Sequence, residues 1–197
     1  MTMALSSISQ PNYPPEEVDA LKMLSINQHK LGHAVEEALE VEEKTTVKKG
    51  TLMSNFDTGN QVQLVSKSSG RALRIVQARS GQLKVDSRGD LGEHEWNALW
   101  TVINEGHNQV RLHNNFNFLA IVNGETTIIH VPQGSEHDKP ETKLQVIIHP
   151  ESFVTLESLR EPEKCVGILD SGSLKSAENC TCHDDHSMFG VHLIKKA

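Results

Sequence analysis

A short pattern occurs three times in this 197-residue chain, and the recurrence limits the folds open to it. The stretches "SGRALRIVQARSGQLKV" (Ser69 to Val85), "FNFLAIVNGETTI" (Phe116 to Ile128) and "EKCVGILDSGSLKS" (Glu163 to Ser176) share one order. Each has an apolar pair, a turn and further apolar residues. The surrounding segments repeat as well. "NQVQLVS", "RALRIV", "GQLKVD" and "ALWTVI" alternate apolar and polar residues between Gly, Asn, Asp and Ser turns, which predicts strands. So do "NQVRLHN", "NFLAIV", "TTIIHV" and "KLQVIIH", and then "FVTLES", "CVGILD", "GSLKS" and "MFGVHLI". The twelve predicted strands fall into three sets of four, at about 58–106, 107–150 and 151–197. Equivalent strand residues lie 44 to 48 apart. Val62/Leu64, Val110/Leu112 and Val154/Leu156 open the sets. Leu73/Ile75, Leu119/Ile121 and Val166/Ile168 form the second strands, with Gly81, Gly124 and Gly172 in the next turn. Trp100/Val102, Gln145/Ile147 and Phe189/Val191 are assigned to the closing strands.

A period near 45 residues with four strands per unit has few structural readings. Propellers use four or more blades, and three sets do not close such a ring. The paired apolar residues of each second strand, the Gly turn after it and the apolar closing strand resemble the β-trefoil superfamily. That resemblance covers residues 51 to 197. It implies an all-β domain: a six-stranded barrel capped by three hairpins. Alternation puts one face of every strand inward, and closure of the barrel removes exposed edges. The expected core is Leu64, Leu73, Ile75, Leu83, Trp100, Val102, Leu112, Leu119, Ile121, Ile147, Leu156, Val166, Ile168, Leu174, Phe189 and Val191.

The first fifty residues have another character. Residues 1–14, rich in Ser, Pro, Asn and Gln, read as a flexible tail. Residues 15–48 read as one amphipathic helix, with Pro15 suited to its first turn. Leu21, Leu24, Leu31 and Val35 share one stripe, a face for the barrel, for a partner or for a second copy in a homo-oligomer.

Charge narrows the partners. Nineteen basic residues against 26 acidic ones give a formal net charge of −7. Attraction to nucleic acid or anionic membranes is not expected of the chain as a whole. No apolar run is long enough to span a bilayer, and "MTMALSSISQPNYPPEE" lacks the basic and apolar regions of a signal peptide. Three cysteines, Cys165, Cys180 and Cys182, cannot all pair within one chain. The expected location is the cytoplasm, with Cys165 a buried structural thiol. "NCT" at Asn179 to Thr181 matches a glycosylation sequon and is read as a chance match in that setting.

Candidate sites are few. "CTCHDDH" gathers Cys180, Cys182, His183 and His186, whose soft and imidazole ligands suit zinc or copper, yet the spacing is not that of a structural zinc site. A loop between strands is the expected reading, with no metal and no cofactor. No G-x-S-x-G, P-loop or H-E-x-x-H occurs, so no catalytic residues are assigned and the chain is read as a non-enzyme. A basic set, Lys67, Arg71, Arg74, Arg79, Lys84, Arg88 and Arg111, offers a polar face for an acidic partner, a phosphate or a sulfated glycan, but its interleaving with Asp86, Asp90, Glu93 and Glu95 favours an ordinary mixed surface.

Within the superfamily the chain resembles the fascin-like and cytokine-like (fibroblast growth factor and interleukin-1) branch, which lacks a sugar-binding aromatic in each repeat. The stretch "VTLES…VGILDSGSLKS" carries that rhythm. The resemblance implies a protein-binding or adaptor module. Its alternatives are a signalling protein exported without a signal peptide, and an actin- or glycan-binding trefoil.

Overall fold

The computed structural model describes residues 52–197. The proposed tail, the 15–48 helix and its Leu21, Leu24, Leu31 and Val35 face lie outside the described residues. Among the described residues twelve strands form, and every predicted strand has its counterpart. They are β1 (Gln61–Ser66), β2 (Ala72–Gln77), β3 (Leu83–Gly89), β4 (Trp100–Gly106), β5 (Gln109–Asn114) and β6 (Asn117–Val122). Then come β7 (Glu125–His130), β8 (Leu144–Ile148), β9 (Phe153–Ser158), β10 (Gly167–Ile168), β11 (Leu174–Lys175) and β12 (Phe189–Lys195).

Six of these close into a barrel. β1 pairs with β4 (Val62 opposite Trp100), β4 with β5 (Val102 opposite Leu112) and β5 with β8 (Val110 opposite Leu144). β8 pairs with β9 (Val146 opposite Leu156), β9 with β12 (Val154 opposite Phe189), and β12 returns to β1 (Val191 opposite Leu64). Every pair is antiparallel, and the ring has no free edge.

Each barrel strand contributes two apolar residues, and they repeat by threes. Val62, Val110 and Val154 are fully buried, as are Leu64, Leu112 and Leu156. Trp100, Leu144 and Phe189 fill the closing positions. The Trp100 indole N–H, enclosed with them, donates to the Leu73 carbonyl at 2.9 Å, so no polar atom of the ring is left wanting.

One assignment in the closing strand of the second set is corrected. The pair facing inward is Leu144 and Val146, at 0% and 2% exposure, not Gln145 and Ile147. Ile147 is only half-buried. In "LQVII" both parities carry apolar residues after Gln145, and the polar glutamine decides the register, since a one-residue slip would bury it. Gln145 instead points its amide at the His107 and Asn108 carbonyls. Leu83, Leu174 and Val191 are partly buried against the core.

The other six strands make three hairpins: β2–β3, β6–β7 and β10–β11. Their inner residues, Leu73 and Ile75, Leu119 and Ile121, Val166 and Ile168, join the barrel residues in one cluster. Turn chemistry sets the hairpin geometry. Asn123 and Gly124 both take positive φ, at 51° and 73°, as a tight two-residue turn between β6 and β7 requires. The hairpins touch one another: Ser87 N–H in β3 donates to Gly172 O in the third hairpin's turn (2.8 Å).

Candidate docking face

The connection from β3 to β4, residues 90–99, carries two large exposed apolar side chains. Trp96 is 70% exposed and Leu91 52%. A loop with such residues would ordinarily fold them under. Here polar clamps hold its backbone from two sides. Gln63 on β1 is fully buried, yet its amide is satisfied by this loop: Nε2 donates to Gly92 O (3.2 Å) and Oε1 accepts from Gly92 N–H (2.9 Å). On the other side, Asn114 at the end of β5 donates through Nδ2 to Trp96 O (2.6 Å) and Leu99 O (2.9 Å). Asn97 Nδ2 adds a bond to Ile75 O (3.3 Å). The Trp96 backbone is fixed while its indole stays in solvent.

The neighbouring turn extends the surface. Asn115, at φ 52°, begins the link from β5 to β6, and Phe116 after it is 49% exposed. The Phe116 ring meets His130 edge-on, with centroids 6.0 Å apart. Trp96, Leu99, Gln61, Thr101, Asn114 and Asn115 line a shallow cleft of 180 Å³. The connection that carries Trp96 also holds Asp90, paired with Arg71 at 2.6 Å, and the exposed or half-exposed Glu93 and Glu95. An aromatic on a fixed backbone beside polar Gln61, Thr101, Asn114 and Asn115 has the composition of an interface hot spot.

Trp96 was visible in the sequence only as an aromatic in the first repeat. Two tryptophans lie four residues apart, and alternation alone does not say that Trp100 fills the core while Trp96 faces out. Asn114 and Gln63, polar residues at strand positions, were the available signal.

Most of the basic set is engaged by neighbouring groups. Lys67 is paired with Asp185 (2.8 Å) and lies over the Phe153 ring (4.9 Å). Arg74 crosses its hairpin to Asp86 (2.8 Å). Arg88 donates to Ser171 O (3.0 Å) and Ser173 Oγ (2.9 Å), tying the first hairpin to the third. Arg111 is 3% exposed and donates to Glu105 (2.6 Å) and Lys139 O (2.8 Å). Burial pulls the Glu105 carboxyl upward, but Arg111, with Lys143 at 3.5 Å, outweighs it and leaves the pKa below its ordinary value. Among the described residues, Arg79 and Lys84 have no ion-pair partner. Lys84 lines a 580 Å³ cavity between the three hairpins.

The cysteine reading is corrected. Cys165 is not a free thiol: it is disulfide-bonded to Cys182, with Cα atoms 5.6 Å apart. Cys180 is the free cysteine among the described residues and is buried. An odd count is therefore met by one bridge and one enclosed thiol. His183 stands edge-on to His149, with centroids 5.7 Å apart. His186 lies between Asp184 (3.4 Å) and Asp170 (3.6 Å). Among the described residues, no three His, Cys, Asp or Glu side chains are grouped to hold a metal ion.

No protein-family model matches the chain, and no curated protein matches it.

Proposed function

We infer that residues 51–197 form a β-trefoil and that the protein is a non-catalytic binding module for another protein. The trefoil reading is supported by the closed six-strand ring, the three hairpins and the threefold recurrence of Val62, Val110 and Val154. The observation that carries the functional reading is Trp96, 70% exposed on a backbone pinned by Gln63 and Asn114. Fixing the loop in advance lowers the entropic cost of docking. The acidic residues of the same connection, Asp90, Glu93 and Glu95, favour a protein surface with an apolar pocket edged by Lys or Arg.

The test is affinity capture by the full-length protein from extract, with Trp96→Ala and Phe116→Ala variants in parallel. A specific partner should be recovered at least about tenfold less by Trp96→Ala, as truncation of an interface aromatic implies. Its capture should also weaken in high salt. Undiminished recovery by both variants would sink the assignment of this face. A chain beginning at Thr51 reports whether the preceding residues take part.

A second reading, a signalling protein exported without a signal peptide, is favoured by the Cys165–Cys182 bond, because disulfides persist in oxidising compartments. Rapid alkylation of intact cells and of their medium, followed by mass analysis, separates the two. Oxidised protein in the medium supports export. Protein confined to cells counts against it.

A further inference from the structure

The Cys165–Cys182 bond lies between a closed interior and an open cleft. Cys165 is fully buried and precedes β10. Cys182 is partly exposed and lines a cleft of 430 Å³. Three carboxylates share that cleft, Glu157, Glu163 and Glu178, against one ammonium, Lys164. Among the described residues none of the three has a cationic partner at ion-pair distance. Glu157 instead accepts the Glu163 backbone N–H (2.7 Å).

We propose that Cys182 is a thiol–disulfide exchange site that discriminates small thiols by charge, taking cationic and neutral thiols and rejecting anionic ones. The sulfur of Cys182 is the accessible end of the bond, so the incoming thiolate attacks there. The new bond joins the small thiol to Cys182. The Cys165–Cys182 bond breaks, and its electron pair leaves on Cys165, which takes up a proton. A second thiolate attacks the small-molecule sulfur of the mixed disulfide and releases Cys182. Two small thiols are oxidised to one disulfide, and the protein disulfide is reduced to two thiols. The negative field of the cleft lowers the local concentration of an anionic thiol and raises that of a cationic one.

The surroundings allow this without loss of the fold. The segment around Cys182 keeps other anchors: Lys175 to Asp184 (2.9 Å), Lys67 to Asp185 (2.8 Å) and Thr155 Oγ1 to Cys182 O (3.1 Å). Buried Ala177 and Ser187 flank it. Cys180 borders the same cleft but does not compete, since the residue is 3% exposed and burial pushes its thiol's pKa up.

The experiment treats the full-length native protein with cysteamine (cationic), 2-mercaptoethanol (neutral) and 2-mercaptoethanesulfonate (anionic). Rates are read by acid quench, alkylation and intact mass, and corrected for thiolate fraction. At low ionic strength cysteamine should react about tenfold faster than the sulfonate, with a mixed disulfide mapped to Cys182. The ratio should fall toward one in 1 M salt and in the Glu163→Gln/Glu178→Gln double variant. Circular dichroism should stay native throughout. Equal corrected rates at low salt overturn the proposal. So does adduct at Cys165, or reduction only where the protein unfolds.

Discussion

The first and third hairpins hold corresponding places in the chain but are held together by different means. β2 and β3 pair through five registered positions from Ala72–Gly89 to Gln77–Leu83, and Arg74 reaches Asp86 across the ladder. β10 and β11 pair through two, Gly167–Lys175 and Ile168–Leu174. A hairpin that short has little backbone bonding of its own. Around it stand the Cys165–Cys182 bridge, the Lys175–Asp184 ion pair and the bonds from Arg88 to Ser171 and Ser173. Covalent and side-chain ties thus take over where the ladder is reduced. The threefold plan fixes which residues enter the core. It does not require the three hairpins to be equally self-sufficient.

The largest difference between the two hairpins is expected at their glycine turns. Gly81 and Gly172 share a positive φ, 85° and 80°. A Cβ on Gly81 would meet only the tip of Gln77, at 3.9 Å. On Gly172 it would lie 2.7 Å from Ser87 O and 2.7 Å from Arg88 Cγ. Gly81→Ala should cost about 1 kcal/mol, the left-handed strain alone. Gly172→Ala adds a clash with backbone and should cost about 3–4 kcal/mol. Urea unfolding of both variants measures the gap. Equal costs would mean that the third turn is not seated on the first hairpin.

Next comes the bridge. Cys165 and Cys182 enclose a sequence separation of 17 residues, and the loop-closure argument gives about 3 kcal/mol for such a cross-link. The Cys165→Ala/Cys182→Ala variant should lose that much stability under non-reducing conditions. Its midpoint should not move on adding reductant, whereas that of the wild type should fall toward it. A variant as stable as the oxidised protein would mean that the side-chain ties alone hold the third hairpin.

These contrasts show what could be read from residues and what could not. The strands were legible because a period of two is written directly in "QVQLVS" or "NFLAIV". The threefold grouping was legible because Val62, Val110 and Val154 recur with their neighbours. The register of "KLQVIIH" was not, since apolar residues stand at both parities and only Gln145 breaks the tie. The bridge was hidden for another reason. Cys165 sits at a strand-like position and Cys182 in a polar loop, and pairing depends on the closed barrel bringing them together. Most of the candidate docking face escaped too. Exposure of Trp96 rests on clamps from Gln63 and Asn114, which come from strands far apart in sequence. The ion pairs of the basic set were partly foreshadowed, because Asp86 and Asp90 interleave with Arg71, Arg74 and Arg88.

The smallest effect separates charge from capping at Asp184. Its side chain accepts the Lys175 ammonium (2.9 Å) and caps the short turn at Asp185–Ser187 through the His186 N–H (3.2 Å). The Lys175 bond, then the backbone bond, draws its pKa from 3.8 to about 2. A carboxylate whose pKa is lower folded than unfolded stabilises the fold above its unfolded value. That contribution is present above about pH 4 and is lost as pH falls through about 2. The Asp184 side chain is 32% exposed, so solvent reduces the contribution to about 1 kcal/mol. Asp184→Asn keeps a capping oxygen, since Asn caps as well as Asp, and removes only the charge. The variant should therefore be about 1 kcal/mol less stable than wild type at pH 6, with the two curves converging near pH 2. Equal stabilities at pH 6 would assign the role of Asp184 to the cap, which the variant keeps. The third hairpin would then rest on its bridge and its seat against Ser87 rather than on the Lys175 pair.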